Sequence, residues 1–522
     1  MKHIELFAGC GGMSLGLKSA GFDLFFANEL SPMAAQTFAY NFLDEDISTL
    51  LKENKSIENS LWIKSSYSRE NIIARLSENP FNNNKKYSDL NLETDLNCKL
   101  LIGDINNLLS YIIKSKKYKS IQQQDVDLIS GGPPCQSFSL AGRRERNNEK
   151  NLLPLSFAKF VGLLRPKVVL LENVKGITIP FKENTDKFYA WLEVSKAFAL
   201  EGYFPICMMI NSKYYGVPQN RPRFIMLAYR KDFFEKLKLQ YIDNESQEIL
   251  LHTLSFYNKV KKYKKKLQEI TVDDFKYFDI ENDRSFFTGT LLPIPSKSKE
   301  DFISVSDAID DLSQKKSLPS KYVVKINKQF KINKSTNILS NFEERKHNII
   351  TKSRFHYYQV VENLIGANKR DYYKLLSSKS YEKEVLSELF TMVKDFKFLI
   401  PNNKQFQLRK LIDINDFISL IEILKTKKRS QRALRKDFPA PAQLTIPDDI
   451  CHYDETRTLT VREMARIQSF PDDFEFKAKV TTGGDMRKFE APQYTQVGNA
   501  VPPLLALVLG ELVKKQINDV YS

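Results

Sequence analysis

With 522 residues, of which 42% are hydrophobic and 27% charged, the chain has the composition of a globular protein and room for two or three domains. Its 79 Lys and Arg against 63 Asp and Glu give a net charge of +16, which fits either a nucleic-acid partner or a lysine-rich solvated surface. No apolar run is long enough for a membrane span, and the N-terminus does not resemble a signal peptide. The five cysteines include no C-x-x-C pair, which argues against a disulfide framework and a metal site. This cysteine content fits a reducing cytoplasm.

Residues 1–40 predict a strand, a tight glycine loop, a helix and a second strand. The apolar run HIELFAG leads into CGGMSLGLKSAG, and FDLFFANE follows. Further short apolar runs with polar ends occur at 98–104, 126–132 and 168–174. Continuous apolar runs that alternate with helical stretches indicate a parallel sheet covered on both faces, so we expect an α/β fold.

The middle of the chain is less regular. Residues 45–97 are polar and loop-like, and we interpret them as a surface insertion. Residues 204–229 predict two strands joined by a turn. Between about 231 and 450 the pattern weakens, and this region, with 41 basic and 30 acidic residues, carries most of the excess positive charge. A regular helical pattern resumes at Thr460 and Glu463, which form a capping box at the start of a helix. The chain finishes with an apolar helix.

The first glycine loop, FAGCGG, has the position of a cofactor-binding turn in an open α/β sheet. Gly9 and Gly11 fit the dinucleotide fingerprint, but Ser14 occupies its sixth position, so the loop alone also fits a plain tight turn. Glu29 ends the second strand, where a carboxylate can accept both ribose hydroxyls. Asp104 ends the third strand and could bind an adenine amino group. Either acid alone could simply be an exposed residue at the end of a strand. Together with the glycine loop, the two acids favour a binding site for a nucleoside-bearing cofactor.

The segment SGGPPCQSFS presents one thiol, Cys135, on a loop that prolines stiffen and glycines allow to approach a ligand. It follows an apolar strand, so Cys135 is expected at the C-terminal edge of the sheet, where ligands bind. A thiolate held there is a candidate nucleophile. The alternative, an inert buried thiol, is the interpretation we expect for Cys98, Cys207 and Cys451.

A carboxyl and two guanidiniums accompany this thiol. Glu172 ends the apolar strand predicted in LLENV, and Arg221 and Arg223 have the i, i+2 spacing that places side chains on one face of a strand. Together with Cys135 they could hold a planar, polar, electron-poor ring. A structural salt bridge between Glu172 and an arginine is a second interpretation, compatible with the first.

Six segments, in their order and spacing, resemble the motifs of the DNA (cytosine-5) methyltransferases of bacterial restriction–modification systems. They are FAGCGG, GGPPCQSFS, ENV, QNRPR, REMARIQSFP and QVGNAVPP. The resemblance implies a Rossmann-like S-adenosylmethionine-dependent methyltransferase sheet with a second, smaller target recognition domain. The catalytic domain would comprise residues 1–230, with the insertion at about 45–97, and residues 451–522, and the recognition domain residues 231–450.

The resemblance also implies residue roles. Cys135 would attack C6 of a flipped cytosine, Glu172 would contact N3 and the exocyclic amine, and Arg221 and Arg223 would help to hold the base. The cofactor site would contain Phe7, Gly9, Gly11, Gly12, Glu29, Asp104, Pro134, Asn499 and Val501. Contacts to double-stranded DNA would come from Gln136, Ser139, Arg143 and Arg144.

The implied reaction is methyl transfer to C5 of cytosine within a specific duplex DNA sequence, by a cytoplasmic enzyme that is a monomer on DNA. A restriction endonuclease acting on the same site is the implied partner. Three alternatives are an RNA cytosine methyltransferase, a catalytically silent DNA-binding protein and an NAD-dependent oxidoreductase. The absence of a cysteine beside ENV counts against an RNA cytosine methyltransferase. A silent DNA-binding protein would not need the complete set of Cys135, Glu172, Arg221 and Arg223. Ser14, at the sixth position of the fingerprint, counts against an NAD-dependent oxidoreductase.

Overall fold

The structure is a computed structural model that describes residues 1–82, 84–134, 153–183, 186–313, 318–332, 339–366, 368–378, 382–402, 405–428, 430–443 and 445–521. Its strands are β1 (Lys2–Leu6), β2 (Asp23–Glu29), β3 (Ser60–Trp62), β4 (Lys99–Ile102), β5 (Leu128–Gly131), β6 (Val168–Val174), β7 (Phe181–Glu183), β8 (Asp186–Phe188), β9 (Tyr203–Asn211), β10 (Gln219–Asn220), β11 (Pro222–Arg230), β12 (Phe278–Asp279), β13 (Lys397–Asn402), β14 (Gln405–Lys410), β15 (Arg432–Ala433), β16 (Ala440–Pro441) and β17 (Ile450–Cys451).

The helices flank these strands. They are α1 (Gly12–Ser19), α2 (Pro32–Phe42), α3 (Ile47–Lys52), α4 (Ile72–Leu76), α5 (Ile105–Lys114), α6 (Lys117–Gln123), α7 (Leu153–Leu164), α8 (Ala190–Leu200), α9 (Lys231–Gln240), α10 (Asn244–Lys262), α11 (Val305–Ile309), α12 (Lys321–Gln329), α13 (Ile349–Glu362), α14 (Lys369–Leu375), α15 (Lys383–Val393), α16 (Ile414–Leu424), α17 (Val461–Ile467), α18 (Gln493–Asn499) and α19 (Pro503–Tyr521).

One sheet of nine strands organises the described chain. Its order is β12-β9-β11-β6-β5-β1-β2-β4-β3, and the strands from β6 to β3 run parallel. β11 runs antiparallel to both of its neighbours, β6 and β9. Because β1 connects outward to β2 on one side and lies beside β5 on the other, the strand order reverses between β1 and β5. A ligand crevice is expected outside the carboxyl ends of strands at such a reversal.

The predicted α/β fold is therefore confirmed. Every residue of β5 is buried, and so are six of the seven residues of β6, because helices cover both faces of the sheet. Burial on both faces explains why these strands read as continuous apolar runs rather than as alternating ones. The two strands predicted at 204–229 are the antiparallel pair β9 and β11.

The last helix packs against the first. A Cβ atom on Gly16 would lie 2.4 Å from the carbonyl oxygen of Pro503 and 2.5 Å from the Cβ of Ala506. α1 and α19 therefore touch through their backbones, and the two ends of the chain form one body. Within the described residues no single helix is long and apolar enough to cross a membrane, and one bent pair, Gly484–Asn499 with Pro503–Tyr521, meets the length and composition requirements.

The segment from 45 to 97 is more than a surface loop. Its strand β3 pairs with β4 and forms the edge of the main sheet. Asp89 accepts a hydrogen bond from the backbone N–H of Trp62 and forms an ion pair of 2.8 Å with Arg75, and the side chains of Arg75 and Asp89 are 1% and 4% exposed. Some of the polar residues that suggest a loop in the sequence are thus buried, and they form hydrogen bonds and ion pairs with each other.

The described chain contains a second, smaller hydrophobic core. Its buried side chains come from helices α13 to α16 and strand β13, with Ala433 and Cys451. Helices α9 to α12, between residues 231 and 329, contribute instead to the large core of the sheet, with Phe233 and Phe330 among its buried residues. The smaller core therefore begins near residue 349, well after the domain boundary expected at 231.

Candidate active site

The loop after β1 opens the crevice at the reversal of strand order. Its backbone is left-handed at Phe7, Gly9 and Gly11, with φ values of 57°, 57° and 94°. A Cβ atom on Gly11 would lie 2.2 Å from the ring of Phe42, so packing excludes a side chain there. A Cβ atom on Gly9 would meet nothing within 4 Å. The loop thus leaves open space at Gly9, where a ligand can approach the backbone.

Gly12 joins this loop to the C-terminal part of the chain. A Cβ atom on Gly12 would lie 2.4 Å from the carbonyl oxygen of Val501. Val501 is 8% exposed and follows helix α18, whose last residue, Asn499, has an exposed side chain. The segment from 499 to 501 therefore lies directly behind the glycine loop.

Glu29, at the end of β2, is held by the backbone of the same loop. Its Oε2 accepts a hydrogen bond of 2.7 Å from the N–H of Gly9, and its Oε1 accepts one of 2.7 Å from the N–H of Ser31. Burial raises the pKa of Glu29, and these N–H groups oppose that rise. Each carboxylate oxygen can accept a second bond, so two hydroxyl groups of a ligand fit this carboxylate.

Asp104 lies two residues after β4, at the same edge of the sheet. It is the N-cap of α5, and its Oδ1 accepts bonds from the N–H groups of Asn106, at 2.8 Å, and Asn107, at 3.4 Å. The capping role follows from Asp standing directly before a helix, a signal that sequence reasoning overlooked. The cap fixes the carboxyl at the mouth of the crevice.

The segment after β5 leads to the candidate nucleophile. The side-chain amide of Asn173, next to Glu172 on β6, donates a hydrogen bond of 3.2 Å to the carbonyl of Pro133. A Cβ atom on Gly132 would lie 3.1 Å from Glu172 Oε2. The loop is therefore bonded to β6 through Asn173, and the Glu172 carboxyl lies beside it. Pro134 is the last described residue of this segment.

Cys135 lies outside the described residues. So do Gln136, Ser139, Arg143 and Arg144, the residues assigned to DNA. Their roles remain predictions from the sequence.

Glu172 and Arg223 form an ion pair, as the second interpretation of these residues expected. Arg223 Nε lies 2.7 Å from Glu172 Oε1, and the two side chains are 10% and 11% exposed. The pairing follows from the sheet, because Arg223 stands beside Val174 in the β11–β6 ladder and Ile225 stands opposite Glu172. The pair leaves part of the carboxyl accessible at the edge where the Gly132 segment ends.

Arg221 is placed differently from Arg223. Its Nη2 donates hydrogen bonds of 3.0 Å to the carbonyl oxygens of Gly498 and Ala500, and its Nη1 donates one of 3.3 Å to Gln219 Oε1. Arg221 is 1% exposed, and burial, followed by the charge of Arg223, lowers its pKa from the usual value. Arg221 therefore fastens the strand ends that carry Glu172 and Arg223, which form the candidate catalytic edge, to the segment behind the glycine loop.

Gln219 and Asn173 are residues of the site that sequence reasoning missed. Asn173 stands inside ENV and Gln219 at the start of QNRPR, so the motifs contained both. Only their neighbours in space show what they bond to.

The remaining cysteines differ in exposure. Cys207 and Cys451 are buried, as expected, and burial raises the pKa of Cys207 to about 12. Cys98 is exposed, so the prediction of a buried thiol there was wrong. It precedes β4 in a left-handed turn, with φ of 55°, which places its side chain at the surface although the run that follows it is apolar.

Comparison with known proteins gives consistent matches along the chain. The profile of the family described as C-5 cytosine-specific DNA methylase matches residues 1–64 and 94–515. The type II methyltransferase M.DdeI of Desulfomicrobium norvegicum is 26% identical over 98% of this chain and 88% of its own, and M1.HphI of Haemophilus parahaemolyticus is 24% identical over 99% and 87%. The internal residues that the profile leaves unmatched, 65–93, fall within the expected insertion.

Among solved structures, a protein described as a DNA modification methyltransferase encoded within an E. coli prophage is similar over 99% of each chain. Its identity to this chain is 18% and its TM-score is 0.45.

Proposed function

The chain belongs to the C-5 cytosine-specific DNA methylase family, and from this membership we propose that it transfers a methyl group from S-adenosylmethionine to C5 of cytosine within a specific sequence of duplex DNA. The observation that carries the proposal is the position of the Glu172–Arg223 pair beside the loop that leads to Cys135, a loop whose Pro133 carbonyl accepts a hydrogen bond from the neighbouring Asn173. Similarity to type II methyltransferases supports a role as the modification enzyme of a restriction–modification system, beside an endonuclease of the same specificity.

Several residues at this edge of the sheet support a site for S-adenosylmethionine. Glu29 offers two acceptor oxygens for ribose hydroxyls, Asp104 is fixed at the mouth for an adenine amino group, and Gly9 leaves open space beside the loop. Phe7 and Pro134 lie at the ends of the neighbouring strands β1 and β5, and Val501 lies behind Gly12. Bound S-adenosylmethionine supplies the electrophilic methyl group.

The residues of the catalytic edge then have distinct tasks. The Cys135 thiolate adds to C6 of the flipped cytosine, which makes C5 a nucleophile. The Glu172 carboxyl contacts N3 and the exocyclic amine and, by protonating N3, balances the negative charge that develops on the ring as the thiolate adds. Arg223 fixes the orientation of Glu172 through the ion pair. After methylation, loss of the C5 proton expels the thiolate and restores the aromatic ring.

We propose that the smaller core, between residues 349 and 451, is the part that reads the DNA sequence. It lies apart from the cofactor crevice in a separate hydrophobic cluster, and the basic run 425–436 belongs to it and to its connection to the sheet. Basic residues at this position suit contacts with phosphates.

The experiment that tests the function is transfer of labelled methyl groups from S-adenosylmethionine to mixed-sequence duplex DNA, followed by bisulfite sequencing. Protected cytosines in one short recurring context are expected and would identify the target. RNA of the same sequences is the parallel substrate, and label in RNA alone would contradict the proposal.

Cys135→Ala provides the matched variant. It should abolish transfer and leave binding of S-adenosylmethionine unchanged, as measured by calorimetry. Normal turnover by this variant would show that another residue is the nucleophile.

A further inference from the structure

Gln219 occupies the point where three distant parts of the chain meet. It lies in β10, which pairs in parallel with β16, so Gln219 stands beside Ala440 and Asn220 beside Pro441. The strand β16 belongs to the segment that returns from the smaller core to the sheet. Gln219 is fully buried.

The side-chain oxygen of Gln219 accepts two hydrogen bonds. One of 3.2 Å comes from the backbone N–H of Gln443, and one of 3.3 Å comes from Arg221 Nη1. Both partners are donors only, which fixes the orientation of the amide, because turning it over would place its NH2 group against two other N–H groups. One atom thus bonds both to the returning segment and to the buried arginine.

Gln219 pairs two buried donors and leaves its own amide group unpaired. Its Nε2 is buried and has no hydrogen-bond partner among the residues that the structure describes. An unpaired buried donor costs about 1–3 kcal/mol, and an apolar side chain of similar size would leave two donors, the Gln443 N–H and Arg221 Nη1, without this acceptor. The Oε1 atom is therefore the part of the side chain that links the returning segment to Arg221.

Arg221 extends the chain of contacts towards the cofactor crevice. Its Nη2 binds the carbonyls of Gly498 and Ala500, and the next residue, Val501, contacts Gly12 of the glycine loop. Arg221 also stands one residue before β11, which carries Arg223 and through it orients Glu172. A shift of Gln443 therefore reaches the catalytic edge through a short series of direct bonds.

We propose that Gln219 is a positioning residue that couples the segment returning from the smaller core to Arg221, so that the placement of the recognising part sets the geometry of the catalytic edge. This inference rests on the proposed function. It assigns Gln219 no contact with DNA or with the base.

The test is Gln219→Met, which keeps the length of the side chain and removes the acceptor oxygen. We expect kcat for methyl transfer to fall roughly 10- to 100-fold, as for a small misplacement at a reacting centre. KM for DNA and the dissociation constant of S-adenosylmethionine should change less than about threefold. Gln219→Glu, which keeps the acceptor oxygen and replaces the NH2 group by a second oxygen, should restore most of the rate.

Gln516→Met is the matched control. Gln516 is fully buried and forms two hydrogen bonds, with Tyr229 and with the carbonyl of Leu291, near the end of β11 that lies opposite the catalytic edge. It should lower the melting temperature as Gln219→Met does and leave kcat unchanged.

Several outcomes would overturn the proposal. These are an unchanged kcat in Gln219→Met, an equal loss of kcat in Gln516→Met, or a loss confined to KM for DNA. If Gln219→Met does not fold, Gln219→Asn, one methylene shorter, is measured in the same way with the same expected loss. A wild-type protein that transfers no methyl group to DNA would remove the proposed function itself, and that assay precedes every variant.

Discussion

Glu172 and Arg223 show how two charges at one site can serve both structure and chemistry. The ion pair at 2.7 Å fixes the carboxyl, and an exposed fraction of about one tenth leaves it reachable from the edge of the sheet. A carboxyl that must share a proton with a base needs both properties. The structural and catalytic interpretations of Glu172 therefore describe one arrangement.

Glu172→Gln should lower the rate of methyl transfer by a factor of about 10² to 10⁴, the usual contribution of a positioned acid. The amide cannot supply the carboxyl proton, although its oxygen can still face Arg223. Single-turnover transfer measures the rate, and calorimetry checks that S-adenosylmethionine still binds. Asp232→Asn breaks the pair with Arg230 at the opposite end of β11 and serves as the control with unchanged rate.

Glu5 makes stability depend on pH. It is 2% exposed on β1, bonded by the Ser14 hydroxyl, and burial, assisted by the charge of Glu29, raises its pKa from 4.5 to about 8. Between these values the folded chain holds a proton that the unfolded chain releases. The contribution of Glu5 to stability is therefore largest below pH 4.5 and is lost as pH rises towards 8.

Glu5→Gln should remove this dependence, which amounts to about 1.4 kcal/mol per pH unit within the window. Urea unfolding at pH 5, 6, 7 and 8 measures it, and the variant should gain stability relative to the wild type as pH rises. Glu248→Gln, at a side chain 60% exposed, should leave the pH profile as it is. If the free energy of unfolding changed equally with pH in Glu5→Gln and in the wild type, Glu5 would already be ionised at pH 5 in the folded protein.

Among whole elements, α1 and α19 pack closely beside the cofactor loop. Gly16 lies in the middle of α1, where alanine would favour the helix by about 1 kcal/mol. Its Cβ would, however, lie within 2.6 Å of three atoms of α19, two of them backbone atoms that cannot turn away. Steric overlap therefore outweighs helix propensity.

Gly16→Ala should destabilise the protein by about 1–3 kcal/mol, the range for overpacked cores. Thermal unfolding measures the loss. Gly483→Ala is the control, because a Cβ there meets nothing within 4 Å, and its effect should stay within about 0.5 kcal/mol. A Gly16→Ala variant more stable than the wild type would show that the two helices can separate without cost.

At the scale of the molecule, charge and the two cores are arranged unevenly. The run 425–436 contains exposed Lys427 and Arg432 beside the smaller core, whereas the run 261–266, with exposed Lys264 and Lys265, follows α10 on the large core. Both runs look alike in the sequence. Only the first accompanies the part that we propose reads DNA.

The double variant Lys427→Ala/Arg432→Ala should weaken DNA binding and reduce the slope of log K against log salt by about two, if each cation neutralises one phosphate. Fluorescence anisotropy at several salt concentrations measures the slope. Lys264→Ala/Lys265→Ala removes the same charge from the other run and should leave the slope nearly unchanged. Equal slopes for both variants would assign the effect to net charge alone.

The sequence by itself determined the parallel sheet, the glycine loop and the order of the motifs, because each depends on neighbours along the chain. Apolar runs mark strands buried on both faces, and Thr460 with Glu463 forms the predicted capping box. Glu29, Asp104 and Glu172 were placed at strand ends for the same reason. Glu29 is the last residue of its strand, Asp104 lies two residues beyond its strand, and Glu172 lies two residues before the end of its strand.

Only the tertiary structure decided which of these residues meet. Arg221 bonds to Gly498, 277 residues away, and Gln219 to Gln443, 224 residues away, and no periodic pattern encodes such contacts. The same holds for β3 at the sheet edge, for exposed Cys98 and for the late start of the smaller core. Hydropathy reports whether a residue is buried, whereas the packing of the whole chain decides against which partner it is buried.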